Sequence, residues 1–272
     1  MTATTAKAMR ITCQEQLVPG RTLQEKFDFA TAAGFDGIEL RGKGDRHFES
    51  RLPELARAKA DGVVMPTVCV EMPHFIGDFS AELRRDAIDQ LRSQLSVIAE
   101  LGGLGVMTPA SWGQFSLRLP PFEPPRPPAE DRAVLLDALT ELGEHAAALD
   151  VLIMLEPLNR YENHMVNTLA QAVELCRATG LGSVRAVGDT YHMNIEEDDP
   201  CSALAEAAPY LAHMQVSESN RHQPGTGHLD WAAHLATLDA IGYHGDLALE
   251  CRLRGEPETA LPQTAAFLRK FL

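Results

Sequence analysis

Nothing in this sequence supplies a long hydrophobic run. No segment approaches the roughly 20 uninterrupted apolar residues that span a bilayer. The N-terminus, MTATTAKAMRITCQ, has no apolar stretch long enough for a signal peptide. These absences predict a cytoplasmic protein with no membrane partner. Positive charge is also scarce: 24 Lys and Arg stand against 38 Asp and Glu, a formal net charge of −14. No run of Lys or Arg makes a local basic patch, and a field of that sign repels a phosphate backbone, so no nucleic-acid partner is expected. Cysteine is sparse. Cys13, Cys69, Cys176, Cys201 and Cys251 are odd in number and form no CxxC pair. Reduced thiols explain them better than a disulfide framework. No break in composition marks a second domain, so residues 1–272 are expected to fold as one.

What is present is an alternation. The apolar fraction of 45% is ample for a core. The runs MRITCQ, GFDGIEL, GVVMPTVCVEM, GGLGVMTPA, VLIMLEP, VRAVGDT, HMQVSES and GDLALEC read as strands. Helical patterns are expected over Thr22 to Ala33, Leu52 to Ala60, Ser80 to Leu101, Ala129 to Leu149, Leu169 to Thr179, Ser202 to Leu211, Leu229 to Ile241 and Glu258 to Phe271. Thr22 and Glu25 suit a capping box, and Leu91, Leu95 and Ile98 mark one helix face. Strict alternation of eight strands and eight helices predicts a parallel α/β fold. A doubly wound open sheet carries the same alternation, but it gathers its site at one switch point. Here polar residues recur at four consecutive strand ends, which favours a closed (β/α)8 TIM barrel. One segment breaks the rhythm: LRLPPFEPPRPP, residues 117–128, is proline-dense and extended. It reads either as a stiff surface connection or as a lid or oligomer contact over the rim.

The four polar strand ends are Glu156 in VLIMLEPLNRYE, Asp189 in VRAVGDTYHMN, Gln215 in LAHMQVSESNR and Glu250 in GDLALEC. Singly, each has an ordinary explanation: a glutamate after a strand caps or pairs, Asp189 caps the next helix, and a strand glutamine says little. Jointly they imply one cause. Strand ends at one rim of a barrel converge, and three carboxylates with an amide oxygen gather only around a cation. So hard and oxygen-rich a set predicts Mn²⁺, or Mg²⁺ or Co²⁺ in its place, rather than Zn²⁺. A divalent ion on two vicinal substrate oxygens acidifies the C–H beside a carbonyl and stabilises an enediolate. Glu156 and Glu250, one on each side of that carbon, are then the catalytic pair, one removing the proton and the other returning it. Glu162, His192 and Arg221 are candidates for gripping substrate hydroxyls. His74, Trp112 and Phe122 either wall the pocket or serve only packing. The glycines of PGTGH are a weak phosphate signal, because no phosphate-type helix start follows.

The motifs GFDGIEL, EPLNRYE, DTYHMNIEE, VSESNR and PGTGHLDW, with the closing LALEC, resemble the xylose-isomerase-like sugar isomerase and epimerase superfamily. Within it they are most similar to ketose 3-epimerases of the D-tagatose 3-epimerase type. The resemblance implies a (β/α)8 barrel holding one Mn²⁺ or similar ion and pairing as a homodimer or homotetramer. By motif, Glu156, Asp189 and Glu250 match metal ligands, Glu156 and Glu250 the acid–base pair, and Glu162, His192 and Arg221 substrate-hydroxyl ligands. Gln215 departs from the 3-epimerases, which present histidine there, and resembles the hydroxypyruvate isomerases. The expected activity is therefore metal-dependent epimerisation or isomerisation of a small sugar or hydroxy-ketone. Alternatives are an aldose–ketose isomerase of the hydroxypyruvate type and a lyase or dehydratase on the same scaffold. A hydrolase like endonuclease IV would need a histidine-rich zinc cluster, and a mere binding protein has no use for two opposed proton carriers.

Overall fold

The structure, a computed structural model, describes residues 9–116 and 123–272. Its strands are β1 (Arg10–Gln14), β2 (Gly37–Lys43), β3 (Thr67–Glu71), β4 (Gly105–Pro109), β5 (Leu152–Glu156), β6 (Val184–Asp189), β7 (Leu211–Val216) and β8 (Asp246–Leu249). Each pairs in parallel with the next, and β8 returns to β1 through Arg10↔Asp246 and Cys13↔Leu249, closing the barrel. Around it lie α1 (Leu23–Ala32), α2 (His47–Ser50), α3 (Leu52–Ala60), α4 (Ala81–Leu101), α5 (Pro128–Ala148), α6 (Leu169–Thr179), α7 (Thr190–Glu196), α8 (Pro200–Ala207), α9 (Trp231–Ala240) and α10 (Pro257–Leu268). The expected α/β TIM barrel is the observed fold. Among the described residues no helix is long and apolar enough to cross a membrane, and all five cysteines are free.

Local chemistry explains the helix starts. The Thr22 hydroxyl accepts from Glu25 N, while the Glu25 carboxylate accepts from Thr22 N, the reciprocal box that starts α1. Thr168 and Gln171 repeat it at α6. Leu91, Leu95 and Ile98 of α4 are fully buried against the barrel, as their spacing predicts.

Two boundaries differ from expectation. The eight main helices are accompanied by α2 and α7, which are too short for a 3.6-residue period to register. The helix expected through Leu211 stops at Ala207: Ala208 keeps helical backbone as the C-cap, and Pro209 after it has no N–H to continue the ladder; Leu211 instead opens β7. Of the proline-dense stretch, residues 117–122, including Phe122, lie outside the described residues. Beyond them Arg126 donates to Gly77 O and Asp78 O and pairs with Asp131, fixing the entry to α5.

The strand period of two sorts residues between two cores. Ile153, Leu155, Val106, Ala186 and Met214 belong to the large core between strands and helices. Met107, Met154 and Val187 form a separate cluster with Cys69 packed against it, inside the barrel. Two positions further along β5 and β6, on that same inner face, stand Glu156 and Asp189. On this side of the interior a short apolar plug thus lies beneath the acidic residues of the C-terminal rim.

Glu15, in the turn after β1, ties this layer to α3. Arg51 Nη1 and Nη2 donate to its two carboxylate oxygens at 2.9 and 2.8 Å, and Arg41 N adds a third bond at 3.2 Å. Burial alone would raise the Glu15 pKa, but Arg51 overrides it and holds the carboxyl below its usual value. A depressed folded pKa stabilises the fold above the unfolded carboxylate value and loses that contribution as pH falls through the folded one. Glu15→Gln is therefore expected to cost about 2 kcal/mol at pH 7. In urea titrations run at a series of pH values, its deficit against the parent should shrink towards acid.

Candidate active site

Glu156 ends β5, and Asp189 ends β6 one strand over. Gln215 lies on β7 directly opposite Asp189 in the pairing register. Glu250 follows β8, and its N–H continues the ladder to Val216 O at 3.2 Å. The structure therefore brings the four sequence-predicted ligand positions to one rim of one barrel. Asp189 also does what its ordinary reading predicted: Oδ1 accepts from Tyr191 N at 2.7 Å and His192 N at 3.2 Å, capping α7. Its Oδ2 is left for Arg221 Nη1 at 2.6 Å. Arg221 Nη2 stands 2.8 Å from Glu250 Oε2.

Glu156 Oε1 and Gln215 Oε1 are buried oxygens with no hydrogen-bond donor, and the buried Glu250 Oε2 has the Arg221 guanidinium against it. Such orphans are expensive unless something else satisfies them. Two of them beside the Asp189 and Glu250 carboxylates are what an oxygen-seeking cation would satisfy, so these residues fit the expected metal. Glu156, Asp189 and His192 also offer ligand atoms within 4.8 Å of one another. The pKa shifts of these carboxyls follow the same crowding. Burial, then the charges of Glu250 and Asp189, push the Glu156 carboxyl well above its usual range. Burial pushes Glu250 up to about 7 against the pull of Arg221. Asp189 goes the other way: burial opposes ionisation, but Arg221 and then His192 hold it charged.

His192 Nδ1 accepts from the backbone N–H of Asn159 at 3.0 Å. A backbone N–H can only donate, so in the neutral ring Nε2 carries the proton. That Nε2 lies 3.7 Å from Glu156 Oε1. Burial lowers the His192 pKa to about 4, so the ring stays neutral. As arranged, His192 presents an N–H to the cavity rather than a lone pair.

The sequence pattern of the xylose isomerase-like TIM-barrel family matches residues 27–271. The chain is 39% identical over 263 residues to the 3-dehydro-D-guloside 4-epimerase of Escherichia coli (strain K12), covering 96% of this chain and 99% of that one. It is 32% identical over 236 residues to the D-psicose 3-epimerase of Enterocloster bolteae, covering 82% and 74%. The chain belongs to the xylose isomerase-like TIM-barrel family. Among solved structures it superimposes on the 3-keto-D-glucoside 4-epimerase of E. coli in its apo form with a TM-score of 0.90, at 38% identity, over 96% of this chain and 99% of that one. The D-allulose 3-epimerase of Methylomonas sp. follows at TM-score 0.82 and 21% identity, covering 98% and 99%, a likeness of fold alone.

As in a TIM barrel generally, the mouth opens at the C-terminal rim. A cavity of about 300 Å³ is lined there by Glu156, Glu250, His192, Arg221, Glu162 and Trp112, among others. All three predicted hydroxyl-binding residues thus reach it. Glu162 is already engaged: Oε1 accepts from Asn159 Nδ2 at 2.9 Å and Oε2 from Trp112 Nε1 at 3.0 Å, which pins the exposed indole at the mouth. Trp112 does line the cavity; His74 does not, and Phe75 stands there instead. A larger outer cavity of about 380 Å³, lined by α5 and α6 residues such as Leu135 and Leu175, shares no residue with the rim.

Three supporting residues escaped sequence reasoning. Glu39 of β2 is fully buried inside the barrel, with His213 of β7 at 2.7 Å. Burial opposes its ionisation, but His213 holds its carboxyl below the usual value. The signal was a carboxylate in mid-strand, in GIEL, with no strand end to draw attention. Glu218 lies beyond Gln215 and accepts from Trp231 Nε1 at 2.6 Å and from the backbone N–H of Gly225, Ser219 and Leu229. The loop containing PGTGH does cradle an anion, but the anion is the protein's own carboxylate. A side chain at Gly227 would collide with Glu218 Oε2. This loop carries Arg221 at φ +59°, a left-handed backbone that needs firm support in a non-glycine residue. Glu218→Ala should therefore speed amide exchange at Gly225 and Leu229 by at least tenfold, while the amides of β5 and β6 keep their protection; unchanged exchange in the loop would remove Glu218 as its anchor.

Proposed function

We propose that this protein is a divalent-metal-dependent sugar epimerase, inverting the carbinol carbon next to a ketone. The observation that carries this reading is the pair of orphaned oxygens on Glu156 and Gln215, on one rim with the Asp189 and Glu250 carboxylates. Glu156, Asp189, Gln215 and Glu250 would hold Mn²⁺, or Mg²⁺ or Co²⁺. Bound there, such an ion would supply the Lewis acidity that polarises the ketone and acidifies the neighbouring C–H.

The chain's own residues account for the proton traffic. β5 and β8 are separated by β6 and β7, so Glu156 and Glu250 flank the other two ligand positions. One carboxylate takes the proton from carbon, leaving an enediolate, and the other, protonated, returns one to the opposite face. The forces that raise both carboxyl pKa values make each a competent carrier. His192 Nε2–H, the Arg221 guanidinium and the Glu162 carboxylate grip hydroxyls around that carbon. The cavity of about 300 Å³ suits a single sugar ring or open-chain sugar with its neighbouring group.

Two substrate classes share this chemistry. Relatives named as ketose 3-epimerases support a free ketose inverted at C3. The E. coli relative, matched over 96% of this chain, supports a 3-keto glycoside inverted at C4. An aldose–ketose isomerase of the hydroxypyruvate type is the second reading, favoured by the amide Gln215 at the fourth ligand position.

NMR of the Mn²⁺-loaded protein in D₂O with free ketoses, 3-keto glycosides and hydroxypyruvate distinguishes them. The expected result is an epimer carrying solvent deuterium at the inverted carbon, C3 of a ketose or C4 of a 3-keto glycoside, abolished by EDTA and restored by Mn²⁺. Conversion of hydroxypyruvate alone would establish the isomerase. Epimer that retains its original hydrogen, or equal turnover after chelation, would contradict the mechanism.

A further inference from the structure

Gln215 can act as a ligand only if its amide oxygen, not its nitrogen, faces the rim, and nothing on β7 itself decides which. We infer that Glu39 decides it: the carboxylate on β2 is a positioning residue that orients the Gln215 amide and so sets the strength of the metal site. The inference rests on the metal reading of the rim given above and adds to it a residue buried beneath the ligand ring.

The geometry around Glu39 admits one polarity. Its Oε1 receives Gln14 Nε2 at 3.1 Å and Gln215 Nε2 at 3.2 Å. Its Oε2 receives Thr67 Oγ1 at 2.8 Å and faces His213 Nε2 at 2.7 Å. Gln14 is itself fixed, because its Oε1 accepts from Gln16 Nε2 at 2.6 Å and only its nitrogen remains to donate. Glu39, on β2, is therefore a pure acceptor held from three other strands: Gln14 on β1, Thr67 on β3, and His213 and Gln215 on β7. Turning the Gln215 amide over would set its oxygen against a carboxylate oxygen, two acceptors in contact inside a dry core. In the orientation observed, the nitrogen is consumed by Glu39 and the oxygen is delivered, buried and unpartnered, to the rim. A buried carboxylate behind a ligand's N–H is the arrangement by which outer residues commonly tune metal ligands. Here it acts through an amide, whose two ends differ in size by almost nothing and need an external reason to choose.

The alternative is that Glu39 and His213 are simply a buried ion pair holding β2 to β7. The two roles separate when metal affinity and fold stability are measured on the same proteins. Mn²⁺ dissociation constants, read from the free-Mn²⁺ electron paramagnetic resonance signal, are compared with the unfolding midpoints of the metal-free forms. Glu39→Gln presents the position-215 amide with a group that accepts or donates equally well, so Mn²⁺ binding is expected to weaken about 10- to 100-fold. Gln215→Ala should weaken it at least as much, and adding Glu39→Gln to Gln215→Ala should cost nothing more.

The decisive variant is the reversed pair, Glu39→Gln with Gln215→Glu. It keeps the buried charge count and reinstates one donor–acceptor contact with opposite polarity, leaving an oxygen for the ion. It is expected to recover Mn²⁺ binding to within about tenfold of the parent, and it keeps the test alive if Glu39→Gln alone does not fold. A Glu39→Gln protein that binds Mn²⁺ like the parent would overturn the inference. So would a reversed pair that folds and binds no better than Glu39→Gln, or losses that simply add. If the unaltered protein fails to bind Mn²⁺ at all, the metal reading itself falls, and that outcome is visible before any variant is made.

Discussion

Glu156 and Glu250, with Asp189 between them, place carboxylates at nearby strand ends inside one closed barrel, and closure leaves them nowhere to go. In an open sheet, terminal side chains can splay into solvent. On a barrel rim the inward-facing positions point at a common axis, and an apolar plug of Met107, Met154 and Val187 lies below them. Burial at such a place raises a carboxylate's affinity for protons, and the neighbouring like charges add to it. Both glutamates accordingly sit above their usual range, while Asp189 stays ionised because Arg221 lies against it. A site of this kind is costly to fold and only makes sense around positive charge.

The surroundings answer that constraint at three levels. Arg221 supplies a fixed cation, touching Asp189 and Glu250 from a loop that Glu218 and Trp231 hold in place. The N-terminal amides of α7 spend one oxygen of Asp189 on capping, so helix and ligand position are set by the same side chain. Below, Glu39, with His213 against its other oxygen, lies under the ring and orients the Gln215 amide. The chemistry proposed for the cavity uses what these supports leave over: unpartnered oxygens, one neutral imidazole N–H and two carboxyls with raised pKa values.

Much of this was legible in the sequence, for physical reasons. Eight strands could be counted because parallel strands buried on both faces give continuous apolar runs, and Glu156, Asp189, Gln215 and Glu250 stood out because each interrupts such a run at its end. Arg221, His192 and Glu162 were legible because polar residues crowd the loops just beyond. Other features left no periodic trace. α2 and α7 span two turns or fewer, too little for the helical period to repeat. Glu39 and His213 pair across the barrel from positions far apart in the chain, and no local pattern couples β2 to β7. Glu218 resembled one more loop carboxylate, and only folding shows its oxygens filled by backbone N–H groups. His74 read equally as a wall or as packing, and the cavity is lined by its neighbour Phe75.

The most direct measurement is anomalous X-ray diffraction from crystals of the protein loaded with Mn²⁺. The expected result is a single anomalous peak at the C-terminal rim, in coordination contact with oxygens of Glu156, Asp189, Gln215 and Glu250, with the Gln215 nitrogen turned away towards Glu39. A peak bound elsewhere, or those four side chains unmoved around an empty centre at saturating Mn²⁺, would contradict it.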